Sequence, residues 1–160
     1  STDKFDYNST NSNKGLFPTG SYIELPPGKW LITLDTQFKI SLEPNQNQSV
    51  LNYGSWFTIQ FSFSDTNNLA LNSITNDIED LNNQTIWNLI DGPTNTAYSI
   101  GKYASVFGQL VIYNQTKTNK KYYLIAGGVS KSEGLLEGVI FDVGGNTHGN
   151  FMTALPILTD

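Results

Sequence analysis

The chain has 160 residues, a formal net charge of −5 and no cysteine. That length suffices for one domain with a hydrophobic core, and the lack of cysteine excludes disulfides and thiolate metal sites. All nine basic residues are lysines and no apolar run approaches the ~20 residues of a membrane-spanning helix, so neither nucleic acid nor membrane insertion is expected.

The N-terminal part of the chain divides into a polar segment and a strand pair. Residues 1–15 are nearly all polar and are predicted to be a flexible tether, which leaves residues 16–160 as the head domain. Within 21–42, two strand-like runs flank a corner at Pro26, Pro27 and Gly28. After the corner, alternation predicts a long strand with one buried row: Trp30, Ile32, Leu34, Phe38, Ile40 and Leu42.

The rest of the chain also has the pattern of strands. Residues 54–64 alternate strictly, with Phe57, Ile59, Phe61 and Phe63 in the buried row. Residues 69–90 predict a loop with a helical turn and then a short strand at 85–90, and 97–113 predicts strand segments bent near Gly101 or Gly108. A hairpin into 120–126 and strands at 135–143 and 151–158 follow. This spacing predicts an all-β fold, an antiparallel β-sandwich.

The run from Pro26 to Leu42, the aromatic-rich middle strand and the apolar last strand resemble the jelly-roll domains of the tumour-necrosis-factor and complement type. In that family a Pro-x-Gly-x-aromatic turn often enters a core strand, as Pro26, Gly28 and Trp30 do here. The resemblance implies jelly-roll topology and a homotrimer. Similar domains cap viral and bacteriophage fibres and spikes and some bacterial surface filaments, where they bind host receptors or sugars.

Six residues are candidates for ligand binding because aromatic rings stack on sugar faces while amides and carboxylates pair with hydroxyls. Trp56 stands in the polar row of its strand, so its ring is either exposed, covered by another subunit or packed under a loop. Trp87 has amide neighbours on both sides. The remaining candidates come from a turn and the segment after it, which form one rim if 85–103 folds together: Asp91, Asn95, Tyr98 and Tyr103.

Catalytic and metal-binding roles find little support in the sequence. Asp77, Glu79 and Asp80 lack the spacing and the glycine of a calcium loop and are interpreted as solvated loop charges. The only histidine, His148, lies in a turn without a nucleophile motif. No catalytic residue, metal or cofactor is therefore expected.

The leading hypothesis is a non-enzymatic, trimeric receptor-binding head of a viral or bacteriophage fibre or spike. It would lie outside the cell or on the virion surface and bind a host-surface glycan or protein. Two alternatives remain open at this point: a carbohydrate-binding module of a secreted enzyme, and a purely structural component of a capsid or filament. The first alternative would be monomeric, and the second would not depend on the exposed tryptophans.

Overall fold

A computed structural model describes residues 3–7, 16–42, 56–68, 73–80, 82–91, 102–127, 139–143 and 151–158. The described residues form strands, turns and connecting segments, with no helix among them. The strands are β1 (Asp3–Tyr7), β2 (Leu16–Leu25), β3 (Gly28–Leu42), β4 (Trp56–Ser64), β5 (Ile86–Asp91), β6 (Lys102–Asn114), β7 (Lys120–Gly127), β8 (Val139–Val143) and β9 (Phe151–Ile157).

These strands make two antiparallel sheets that pack face to face. The five-stranded sheet has the order β1-β8-β3-β6, with β9 also paired to β3, and the four-stranded sheet has the order β2-β7-β4-β5. The predicted all-β antiparallel sandwich is therefore confirmed.

Strand pairing in the sandwich is nested along the chain. β4 pairs with β5, β3 with β6, β2 with β7 and β1 with β8, so that each pair encloses the one before it. β8 and β9 share the same edge of β3: β8 pairs with the C-terminal part of β3 and β9 with the part from Lys29 to Asp35. The two strands thus lie end to end along one side of β3.

The corner between β2 and β3 forms where the prolines and glycine predicted it. Gly28 has a φ of +124°, a conformation that side chains of other residues disfavour. The indole Nε1 of Trp30 donates a hydrogen bond to the Pro26 carbonyl oxygen at 2.9 Å. Trp30 is half-buried and packs against the core, so one side chain both closes the corner and joins it to the interior.

The core lies between the inner faces of the two sheets. On β4 the predicted row is buried at Ile59, Phe61 and Phe63, each 0% exposed, and Ile32 and Leu34 of β3 face them. Burying each such side chain contributes about 1.5–3 kcal/mol, so these rows dominate the stability of the fold. The side chains of Phe57 and of residues 37–42 lie outside the described part of the chain.

Residues 73–80, here called the bridging segment, connect the two sheets at their open edge. The Thr75 amide donates to the Phe63 carbonyl of β4 at 2.8 Å, while the Tyr113 amide of β6 donates to the Asp77 carbonyl at 2.8 Å. Ile78 forms a single bridge with Ile112 and is 1% exposed. The segment contains a turn but no helix, which differs from the helical turn that its apolar spacing predicted, because its backbone pairs with both sheet edges.

Two further expectations differ from the structure in the part of the chain that it describes. Asp3–Tyr7, within the predicted tether, form β1 and pair with β8, as the alternation of Phe5 and Tyr7 with polar residues allows. Residues 8–15 lie outside the described chain. At Gly108, one of the two predicted bend positions, β6 has no bulge, since its register with β3 is continuous from Lys102 to Asn114. Gly101, the other predicted position, lies outside the described residues. Gly108 instead permits close packing, because a Cβ there would lie 2.5 Å from Cγ2 of Ile86 on β5.

Candidate functional site

The β4–β5 pair brings three of the predicted ligand-binding residues onto neighbouring strands. Trp56 lies directly opposite Asp91 in the backbone register, and Gln60 lies opposite Trp87. Gln60 is half-buried, so an amide side chain adjoins the Trp87 position. The two register pairs are four residues apart on β4, about 13 Å along the strand.

Trp87 is exposed because of its place on β5. Its neighbour Ile86 is 6% exposed and belongs to the core, while Trp87 on the opposite face of the strand is 62% exposed. Asn88 turns inward again, and its Nδ2 donates to the Ser105 carbonyl of β6 at 2.6 Å. The Trp87 ring is therefore presented to solvent by a strand whose alternate side chains are fixed in the sandwich, and it is not packed under a loop.

In the described chain, none of the other three predicted residues lies on the β4–β5 pair. Tyr103 lies on β6 in the five-stranded sheet, opposite Lys39. The Asn88–Ser105 hydrogen bond connects β5 to β6 two residues from Tyr103. Asn95 and Tyr98 lie outside the described residues, as do the side chains of Trp56, Asp91 and Tyr103. The predicted rim over 85–103 therefore stays a prediction.

Sequence reasoning missed a second group of aromatic side chains, on β2 and β7. The rings of Tyr22 and Tyr123 are 5.8 Å apart between centroids at an interplanar angle of 53°, and Lys121 Nζ lies 4.5 Å from the Tyr22 centroid. Tyr22 is 49% exposed. The signal in the sequence was alternation: Tyr22 precedes Ile23, which packs on the core, and Tyr123 follows the buried Tyr122.

A third missed feature is an apolar patch on the outer face of the five-stranded sheet. Leu31 of β3 lies between Val111 of β6 and Leu155 of β9 in the register. Leu155 is 61% exposed and Phe107 on the same face is 69% exposed. We call this surface the apolar outer patch; its members are Leu31, Val111, Leu155 and Ile157. Phe107 lies on the same face beyond a polar row formed by Thr33, Gln109 and Thr153.

Two of the three acidic residues of the bridging segment form ion pairs, and the third, Asp80, accepts a hydrogen bond from the Asn82 amide at 3.0 Å. Asp77 Oδ2 accepts hydrogen bonds from Lys120 Nζ at 2.6 Å and from the Tyr122 hydroxyl at 2.7 Å. Lys120 Nζ also lies 3.1 Å from Asp65 Oδ1, and Lys29 pairs with Glu79 at 2.5 Å. Asp77 is thus half-buried and paired, and the interpretation of all three acidic residues as solvated was wrong for this one. No group of potential metal ligands occurs within the described residues.

These contacts raise two pKa values. Burial raises the pKa of the Tyr122 phenol well above its ordinary value of 10.0, and the hydrogen bond to Asp77 raises it further. Burial lowers the pKa of Lys120, but the hydrogen bonds to Asp77 and Asp65 outweigh that effect, so the pKa lies above its ordinary value of 10.5. Both groups therefore hold their protons more tightly in the folded state.

We expect the free energy of unfolding to fall in alkaline solution. Below about pH 10, Tyr122 and Lys120 are protonated in both the folded and the unfolded states, so their stabilising contribution is complete. As the pH rises toward the folded pKa values, the unfolded chain releases these protons and the folded chain keeps them, so the contribution is lost. Urea unfolding between about pH 8 and pH 11 measures this loss, which should be smaller in Tyr122→Phe. A tyrosinate absorbance difference between the folded wild type and Tyr122→Phe near pH 10 would contradict it.

Comparisons with known proteins do not assign a family. A scan against protein-family models finds no matching family, and a search of curated proteins finds no significant match. Within the part of the chain that the structure describes, no helix has the length and hydropathy needed to cross a membrane.

Proposed function

We propose that this chain is a non-enzymatic receptor-binding head with jelly-roll topology, at the tip of a viral or bacteriophage fibre or spike. It binds a host-surface glycan or protein outside the cell or on the virion surface. The observation that carries the proposal is the Trp87 ring, 62% exposed on β5 and opposite Gln60 in the strand register. An exposed indole next to an amide fits a saccharide, whose CH faces stack while its hydroxyls form hydrogen bonds.

The nested strand pairing supports the jelly-roll assignment. A jelly roll arises when a long antiparallel ribbon, with its first strand paired to its last, rolls into two sheets. The pairs β1–β8, β2–β7, β3–β6 and β4–β5 follow that scheme, and the two sheets have the corresponding strand orders.

We expect Trp87→Ala to weaken binding of a cognate glycan by about 1–3 kcal/mol, the value of one aromatic stacking contact. Trp87→Phe, which keeps a smaller ring at the same place, should lose less. A glycan array identifies the ligand, and titration of both variants measures the loss. Unchanged affinity in Trp87→Ala, or a wild-type chain that binds neither glycans nor host cells, would refute the proposed binding surface.

The apolar outer patch supports the assembly of this head into a homotrimer. Monomeric proteins rarely leave contiguous large apolar side chains in water, and such patches usually mark protein interfaces. Phe107 and Leu155 are exposed on the face opposite to the core, away from the four-stranded sheet that carries Trp87. This arrangement would leave the proposed ligand surface free in the assembled head.

Leu155→Asp should shift the assembly toward monomer, because it places a charge in the buried interface. Asn67→Asp is the matched control, since Asn67 is exposed and polar already and follows β4 of the four-stranded sheet. Sedimentation of the two variants and the wild type gives the masses. A wild-type monomer would exclude the trimer and favour the carbohydrate-binding module. A trimer whose glycan or cell binding is absent would favour a structural capsid or filament component, for which the apolar outer patch alone is needed.

A further inference from the structure

The aromatic group on β2 and β7 is the strongest feature that the proposed function does not use. Tyr22 is opposite Tyr123 in the register, and Glu24 is opposite Lys121. These four side chains lie at the end of the four-stranded sheet next to the β6–β7 hairpin. Tyr22 is half exposed, and Lys121 holds its ammonium group 4.5 Å from the Tyr22 ring centroid.

Within the described chain, the polar atoms of this group have few partners. Within the described chain Lys121 has no carboxylate partner, in contrast to Lys120 next to it, which pairs with Asp65 and Asp77. The hydroxyls of Tyr22 and Tyr123 form no hydrogen bond in the same residues. Glu24 accepts only a long hydrogen bond, 3.4 Å from Asn119 Nδ2.

We propose that Tyr22, Tyr123, Lys121 and Glu24 form a separate binding site for a saccharide that carries a carboxylate. The ammonium of Lys121 pairs with the sugar carboxylate, and the exposed Tyr22 ring stacks on the CH face of the sugar. Glu24 and the two tyrosine hydroxyls accept or share the sugar's hydroxyl protons. This site does not depend on Trp87, because it lies on other strands.

The charges of this site favour an acidic sugar over other anions. A polyanion such as nucleic acid would be repelled by a chain of net charge −5 and would find one unpaired lysine here. Inorganic sulfate offers no hydroxyl donors, so Glu24 would only repel it. An acidic sugar satisfies both Lys121 and Glu24, since it brings one negative group and several donors.

Titration of the isotope-labelled full chain, followed by NMR, tests the site with three probes: a glucuronic-acid-containing disaccharide, its neutral glucose counterpart and sodium sulfate. We expect the acidic disaccharide to shift the amide signals around Tyr22 and Tyr123. Lys121→Gln and Tyr22→Ala should each weaken its binding about five- to tenfold. Lys121→Arg, which keeps the charge over the ring, should retain most of the affinity.

Lys117→Gln is the matched control, because Lys117 lies exposed in the same hairpin and makes no ion pair or ring contact in the described chain. It should change the affinity by less than about twofold. Equal losses in Lys117→Gln and Lys121→Gln, equal binding of the neutral disaccharide or of sulfate, or no shift with the acidic disaccharide would each overturn the site. Loss of binding in Trp87→Ala but not in Lys121→Gln would overturn it as well, while supporting the proposed surface on β4 and β5.

Discussion

Asn114→Ala is expected to lower the free energy of unfolding by about 2–4 kcal/mol, the range for buried polar groups left without partners. Asn114 ends β6 and is 1% exposed. Its Nδ2 donates to the carbonyl oxygens of Leu25 at 3.0 Å and Thr118 at 2.9 Å. Its Oδ1 accepts from the amide and the hydroxyl of Thr116. One side chain therefore joins the β6–β7 hairpin to the end of β2.

Removing this side chain leaves a buried carbonyl at Leu25 without its side-chain partner. Asn114→Asp tests which half of the amide matters, because the carboxylate keeps the acceptors for Thr116 but cannot donate to Leu25 and Thr118. Asn114→Asp should therefore also be less stable than the wild type, and the loss should be larger at pH values at which the carboxylate is charged.

Urea unfolding of Asn114→Ala and of Asn83→Ala makes the comparison. Asn83 is exposed and its side chain makes no hydrogen bond with the described residues, so its replacement should change stability by no more than about 0.5 kcal/mol. If the two variants unfold at the same urea concentration, the hydrogen bonds of Asn114 do not stabilise the fold as inferred.

The second large effect is expected at Asp77. Asp77→Ala should cost about 2–3 kcal/mol, because it leaves the hydroxyl of Tyr122, whose side chain is fully buried, without an acceptor and removes one partner of Lys120. The bridging segment would then be held to β7 only through its apolar side chains. Asp77→Asn, which keeps an acceptor oxygen, should lose less.

A double-mutant cycle with Tyr122→Phe isolates the hydrogen bond. The coupling energy should reach about 1 kcal/mol, since the two groups are in direct contact. Glu79→Gln serves as control, because Glu79 lies in the same segment and its ion pair with Lys29 is partly exposed, worth at most about 1 kcal/mol. Additive effects of Asp77→Ala and Tyr122→Phe would show that the contact does not contribute.

The fold could be predicted from local pattern wherever one face of a strand is buried. The β4 row ending at Phe63 and the corner at Gly28 depend on alternation and on turn chemistry, both of which are local in sequence. The bridging segment was not predictable in this way, because its conformation is set by pairing with Phe63 and Tyr113 on separate sheets. The same holds for β1, whose partner strand is at the other end of the chain.

The candidate site was predictable only as a list of residues. Trp87 could be singled out by its amide neighbours, but its pairing with Gln60 and the pairing of Trp56 with Asp91 follow from the β4–β5 register. The Tyr22–Tyr123 contact joins residues from β2 and β7, so no sequence window contains both. A surface assembled from distant strands becomes visible only when strand order and register are known.

The nested strand pairing predicts the order in which the strands pair during folding. β4 and β5 are separated by 21 residues, 65–85, whereas β1 and β8 are separated by 131 residues, 8–138. Loop closure costs more entropy as the separation grows, so the inner ribbon is the natural place for folding to begin and the terminal strands are the last to dock. A nascent polypeptide could not complete the β1–β8 pair until β8, more than 130 residues after β1, had been synthesised. Until then, the apolar side chains of the core would be only partly buried from water.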